Sequence, residues 1–524
     1  MGKPLRKLCL NLGLTGLVAG FVLTNTGPAY TAGPVGPRTM SPVAKEVETD
    51  KSKFSPDPTY ADKPYSADEQ IKIYGGKKAV EVVRPLFEFF RPQYSEGPFR
   101  QGENPFGDKN TSSLQFLAFG DWRTAVAFND NGANEVGQIA TRLNLDLDLK
   151  LTGTERIHAF LRPLDKGGNF TRHEFAGGDK ETGIDVELDG NLETLFFEGD
   201  IGAIYAGLSD EYSSFDLPIA LGLTPFIFQN GVWVEDAFTG GAITIAAKNS
   251  PALNISNMDF TFFAGFDKVT TPAAKDALGG LDDDDLTVFG VASFFDATEG
   301  YWEAGFGAIE GEDELSDIDY QSFTVAFTKR YGGWLSNSVR FVSTFGQDRD
   351  NSAQQTADGQ IVLLENSLIT SLPSTLVPYF NFWVGLDRPQ PLADATGLLK
   401  NTGINFETDG LTGFPRLDDS GHDTFGGAIG VSYIFNLDQQ LVVEAASVRT
   451  IGDDFEPGRA AVADQLGFQV RYQRPIAPGW IVRTDAMVGL LEKQDDLSGV
   501  RFEIRRKAYP LPFEIKLIDF QKFQ

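Results

Sequence analysis

From residue 139 to 151 apolar and polar side chains alternate almost without a break. Leu143, Leu145, Leu147, Leu149 and Leu151 interleave with Asn144, Asp146, Asp148 and Lys150. Successive side chains of a strand point to opposite faces, so this segment predicts a strand with one leucine face and one polar face. A helix would scatter the same leucines around its circumference. Thr152-Gly153-Thr154 then turns the chain, and Ile157, Ala159 and Leu161 continue the apolar face opposite Arg156, His158 and Arg162. The pair reads as a hairpin.

The same pattern returns near the C-terminus. Leu466, Phe468, Val470 and Tyr472 alternate with Gly467, Gln469, Arg471 and Gln473; Trp480, Val482, Thr484, Ala486, Val488 and Leu490 alternate with Arg483, Asp485 and Gly489. Val500, Phe502 and Ile504 alternate with Arg501, Glu503 and Arg505. Further strands are expected at 286–295, 300–309, 322–328, 338–345, 377–386, 424–435 and 441–448, with Gly-, Asp- and Asn-rich turns between them. Most of these runs are long enough to cross a bilayer when tilted, at about 9–11 residues each. Aromatics fall near strand ends, at Trp122, Tyr301 with Trp302, Tyr331 with Trp334, Tyr433 with Phe435, and Trp480. Interfacial girdles occupy such places. In lipid every backbone polar group must be paired, so a sheet of this kind closes on itself. The expectation is an all-β fold, a transmembrane antiparallel β-barrel over residues 111–524. At roughly two dozen residues per strand and connection it has about 16–18 strands, a size that leaves an aqueous lumen. The long irregular stretches 272–285, 347–360 and 390–422 read as outer loops, one of them a candidate to fold inward. A soluble secreted β-protein or adhesin alternates in the same way and is the competing reading.

The N-terminal region changes the picture. Lys3, Arg6 and Lys7 precede an apolar run from Leu8 to Leu23, followed by small residues at Gly27 and Ala29. That order predicts a secretory signal peptide over 1–29. Residues 30–110 are rich in Pro, Lys, Asp and Glu and read as a Pro-rich periplasmic extension, tether-like over 30–65. Within it, Arg84-Pro85-Leu86-Phe87-Glu88-Phe89-Phe90-Arg91-Pro92 is apolar and bracketed by proline. The sequence leaves open whether this segment plugs the barrel or docks a periplasmic partner.

Composition narrows the chemistry. The 524 residues include 45 Lys and Arg against 73 Asp and Glu, a net charge of -28. Nucleic acid is excluded as a partner, because phosphate binding needs clustered positive charge. The single Cys rules out a disulfide scaffold and any Cys-rich metal centre. With 43 Phe, 56 Gly and 4 Met the chain suits strands, and a mean hydropathy of -0.18 argues against a bundle of membrane helices. His158, His173 and His422 have no metal-ligand spacing, no nucleophile sits in an elbow, and no haem-attachment motif occurs. No enzyme activity, cofactor or metal is expected. The runs Asp282-Asp283-Asp284-Asp285 and Glu310-Gly311-Glu312-Asp313-Glu314 read as solvated loops.

The stretch Ala206-Gly207-Leu208, Leu221-Gly222-Leu223-Thr224-Pro225-Phe226, Asn230-Gly231-Val232-Trp233 and Phe238-Thr239-Gly240-Gly241-Ala242, with the alternation around it, resembles bacterial outer-membrane porins. It is similar in style to alginate-export-like large porins. The resemblance implies a monomeric or homotrimeric barrel in outer-membrane lipid and carries no functional residue over. Such barrels usually end in an aromatic residue, whereas this chain ends Phe520-Gln521-Lys522-Phe523-Gln524.

With apolar faces toward lipid, the residues expected in the lumen are Arg142, Asp146, Asp148 and Lys150 on one strand, then Arg156 and Arg162. Arg471, Arg483, Asp485, Arg501, Glu503 and Arg505 follow from the last strands. Such a lining sorts ions in a narrow pore, or its charges pair and brace the wall. The expected function is passive passage of small hydrophilic solutes or ions. The alternative is a structural barrel that sheathes a partner such as an export complex or an electron-transfer cytochrome.

Overall fold

The computed structural model describes residues 85–90 and 107–507, apart from 133, 178–183, 191, 275–284, 348–354, 374, 408–409, 436–437, 453–457 and 478. The expected signal peptide, most of the extension and the final residues 508–524 lie outside the described residues.

Eighteen barrel strands follow one another around a closed wall. They begin with β1 Gln115–Asp130, β2 Glu135–Lys150, β3 in two pieces (Arg156–Leu161 and Asn169–Gly177) and β4 in two pieces (Ile184–Asp185 and Leu192–Asp200). Next come β5 Pro218–Phe228, β6 Val234–Ser250, β7 Ile255–Asp267, β8 Leu286–Ala297, β9 Gly300–Gly311, β10 Tyr320–Tyr331 and β11 Leu335–Phe345. The wall continues with β12 Asp358–Leu368, β13 Leu376–Arg388, β14 Thr424–Phe435, β15 Gln439–Thr450, β16 Gln465–Ala477, β17 Trp480–Leu491 and β18 Leu497–Lys507. Each pairs antiparallel with its neighbour. β18 returns to β1, from Asp121 opposite Lys507 to Asp130 opposite Ser498. No barrel edge is left between first and last strands over that length, which satisfies the backbone in lipid.

The two rims differ. Connections after the even-numbered strands are mostly tight turns, such as 298–299 and 332–334. The exception carries helix α1, Ile201–Ser209, whose first turn is capped by Asp200 accepting from the Ala203 amide at 2.8 Å. Connections after the odd-numbered strands include the long segments 268–285, 346–357, 389–423 and 451–464. Trp122, Tyr301, Trp302, Tyr331, Trp334, Tyr433, Phe435 and Trp480 all lie toward the short-turn rim, and Trp122 and Trp480 both stand opposite Arg506 of β18. Phe128, Phe266, Phe345 and Phe425 are exposed toward the opposite rim.

Between the rims the outer face is apolar. Val362, Val384 and Phe425 form one cross-strand row, and Val431, Val443 and Val470 another, all exposed. On β2, Ile139 is exposed and Ala140 fully buried. The unbroken register of β1 and β2 therefore places Leu143, Leu145, Leu147 and Leu149 on the Ile139 face, with Leu143 opposite Trp122.

The segment Phe87–Phe89 lies among the described residues. It is a short antiparallel strand on β1, with Phe87, Glu88 and Phe89 opposite Ala118, Leu117 and Phe116. This part of β1 lies beyond its last described pair with β18, Asp121 opposite Lys507.

Candidate functional site

One long connection folds inward. Residues 389–423 leave β13 and bury Leu392, Leu398, Leu399, Phe406, Leu411, Phe414 and Leu417. A surface loop has no use for that apolar content. The short connection after β5 joins it. Gln229, Asn230 and Gly231 all take left-handed backbone, and the chain there turns Trp233 into a fully buried place. The Trp233 Nε1 donates to Ser322 Oγ on β10 at 3.0 Å, and Gln229 Oε1 accepts from Thr324 at 2.8 Å and from Arg340 at 2.6 Å. Gly305 and Gly307 on β9 permit this approach, since a Cβ would meet Trp233 at 2.5 Å and Leu392 at 2.3 Å.

The inward loop is tied to both sides of the wall. The Leu392 amide donates to the Trp233 carbonyl at 2.8 Å, and Lys400 pairs with Asp394 and, at 2.8 Å, with Glu235 on β6. On the far side, buried Glu444 of β15 accepts from the amides of Ile404 and Asn405, each at 2.9 Å, and from the Asn405 side chain at 2.8 Å. Tyr379 of β13 donates to the same carboxylate. Asn129 of β1 and Gln138 of β2 both donate to the Thr412 carbonyl at 2.7 Å, and Leu411 packs on Phe170 of β3. The loop thus spans the barrel in its long-loop half.

Burial sets the chemistry of the loop. It pushes the Asp394 carboxyl up to about 6, with Lys400 pulling the other way, and pushes Asp419 up to about 6 against the pull of Arg416. Burial also pushes His422 down to about 4, while its Nε2 lies 3.2 Å from the Pro389 carbonyl. A deprotonated carboxylate in this apolar setting is poorly solvated, and so is an imidazolium.

The charged residues named from the strand pattern form three groups. In the first, fully buried Asp485 accepts from Arg471 at 2.7 Å, from Arg483 at 2.8 Å and from Arg501 at 2.8 Å. Glu407 of the inward loop joins Arg471 and Arg483, and the Arg501 guanidinium lies 5.3 Å from the Phe414 ring. Glu503 is buried and stands opposite Arg483 in register. In the second, Arg505 clasps Asp121 through Nε and Nη2 at 2.8 and 2.6 Å, and Arg123 approaches the same carboxylate at 3.1 Å. In the third, Arg156 lies 3.8 Å from both Asp148 and Glu198, and His158 sits 3.7 and 3.1 Å from the same two groups.

Arg142 lies 5.5 Å from the Phe170 ring, Lys150 is opposite Arg156 in register, and Asp146 is exposed opposite Phe119. Arg162 departs from the expectation that it belongs to the strand. The strand ends at Leu161, and Arg162 begins an excursion within β3 where it pairs with Asp165 at 3.3 Å and with Glu193. The excursion arises because β3 resumes its pairing with β2 only at Thr171.

Below the inward loop, toward the short-turn rim, lies a chamber of about 540 Å³ between β10–β16 and residues 400–407. Its walls are mostly amides and hydroxyls. Glu444, Asn405 and the chamber amides are absent from the charged set read from the strands, because alternation marks a face without marking what crosses it. The apolar positions of 389–423 were the available signal.

No family model and no curated protein matches the chain. Among solved structures, the chain is similar to the outer membrane protein OpdK from Pseudomonas aeruginosa, at 12% identity, covering 75% of this chain and 98% of that one with a TM-score of 0.47. It is also similar to OccK5 (OpdH) from the same organism, at 10% identity, 75% and 98% coverage and a TM-score of 0.46. OccAB4 from Acinetobacter baumannii gives 11% identity, 76% and 98% coverage and a TM-score of 0.42.

Proposed function

We propose that this chain is an outer-membrane, porin-like channel for passive passage of small hydrophilic solutes or ions. One observation carries the reading: the closed wall is apolar outside, while ionic side chains on the opposite face remain open to water. Arg156, Arg505 and Asp148 keep 37%, 31% and 20% of their side-chain surface exposed. A packed interior would bury them, and a soluble barrel would not carry the outer apolar rows. The inward loop is the constriction, and the inner charged residues Arg142, Asp146, Asp148, Lys150, Arg156, Arg471, Arg483, Asp485, Arg501, Glu503 and Arg505 tune which solutes pass. The short-turn rim faces the periplasm and the long loops face outward; residues 30–110 are a periplasmic extension or plug. The alginate-export-like style remains a resemblance; the stretch that carries it folds as α1, β5, the inward turn and β6.

Planar-bilayer recording of the refolded full chain tests the reading. Discrete conductance steps are expected, growing when residues 395–416 are replaced by a short Gly-Ser link. A membrane that stays silent with both proteins overturns it.

A further inference from the structure

The chamber beneath the inward loop has an unusual electrostatic make-up for a pore lined by so many ions. Its charged lining groups are Lys400, Arg471, Glu365 and Glu407, which sum to zero. Each is already engaged: Lys400 with Glu235 at 2.8 Å, Arg471 with Asp485 at 2.7 Å, Glu365 with Arg340 at 3.4 Å and Glu407 with Arg483 at 3.5 Å. An ionic solute entering the chamber would lose hydration and meet no uncompensated partner.

What the chamber offers instead is mixed donor and acceptor capacity. Asn337 donates to Asn366 at 2.8 Å, Gln473 to Gln440 at 2.6 Å, and Gln440 to Ser432 at 2.9 Å. A primary amide has two N–H donors and an oxygen with two lone pairs, so each of these bonds uses only part of its capacity. A carboxylate only accepts and an ammonium only donates, whereas a hydroxyl does both. The volume of about 540 Å³ lies within the range of small-molecule sites. Resting on the channel reading, we infer that this chamber is a binding subsite for uncharged polyhydroxylated solutes, of sugar or polyol chemistry, that selects them against ions of equal size.

Glucose, gluconate and glucosamine are near-isosteric probes that are neutral, anionic and cationic. With the full chain in planar bilayers, glucose is expected to interrupt the KCl current at concentrations at least tenfold lower than the other two. Asn337→Leu is expected to weaken the glucose interruption at least tenfold. Asn337→Asp keeps the shape and is expected to move the preference toward glucosamine. Gluconate or glucosamine acting as strongly as glucose, or either variant leaving the preference unchanged, overturns the inference. Saturation-transfer NMR with glucose on the detergent-folded barrel reads the chamber without conduction. Glucose contact without conductance steps sinks the channel reading alone; conductance without glucose contact sinks the chamber alone.

Discussion

Asp485 shows how a single inward residue organises a wall. It stands between Arg471 and Arg501 in cross-strand register, so three strands meet at one carboxylate, and Arg483 reaches it from two residues away. Fully buried, this group is tolerated only because its partners are fixed by the sheet. Asp485→Ala leaves three guanidinium groups facing one another and is expected to cost about 3–5 kcal/mol, the usual penalty for breaking a buried pair. Urea titration of the heat-modifiable gel shift measures it; a midpoint equal to that of the parent protein would contradict the account. The alternation placed Asp485 and its arginines on one face, but alternation carries no register. That Asp485 opposes both Arg471 and Arg501 follows from the turn lengths at 478–479 and 492–496, which slide one strand against the next.

At the scale of elements the seating of the inward loop is expected to depend on acidity. Asp394 and Asp419, raised by burial to about 6, hold protons in the seated loop that they release in a loosened one. Their contribution to seating is full below the ordinary carboxylate range and fades as pH rises through about 6. His422, lowered to about 4, acts oppositely, since a loosened loop takes up its proton first. Its contribution is full above 6.5 and fades as pH falls toward 4. Two groups outweigh one, so seating strengthens on acidification from pH 6 toward 4. Single-channel traces are expected to flicker less at pH 5 than at pH 7, and His422→Asn is expected to widen the difference. More flicker at pH 5 would show that the loop is held by other groups. The inward course of 389–423 was only partly legible: the stretch stands out by length and apolar content, but 347–360 is also long. Glu444, which fixes the loop, sits 21 residues beyond its end and is marked in sequence only as one acidic position in an apolar strand.

For the whole molecule the decisive property is the sign of each face. Val443 lies in the exposed apolar row with Val431 and Val470. Val443→Arg is expected to destabilise the inserted barrel by about 2–4 kcal/mol, as charges on the lipid face of such barrels do near mid-depth. Folding titrations in lipid vesicles and in detergent read this, and a cost no larger than that of Val443→Thr would contradict a lipid-facing row. The rims add a second asymmetry: the tight turns and the aromatic residues named from the sequence share one end, and the inward loop departs from the other. Strand identity, face and girdle were readable because a period of two and an interfacial aromatic are local properties.

What the sequence by itself determined is the class of object: an antiparallel barrel of the right strand number, apolar outward and ionic inward, closed because unpaired backbone has no partner in lipid. What only the tertiary structure decided is what occupies the inside. The seating of 389–423 on Glu444, Trp233, Asn129 and Gln138, the gathering of three arginines on Asp485, and the neutral chamber left below the loop all depend on contacts between residues far apart in the chain. Local patterning sets which way a side chain points; distance and register, which belong to the closed wall, set what it meets there.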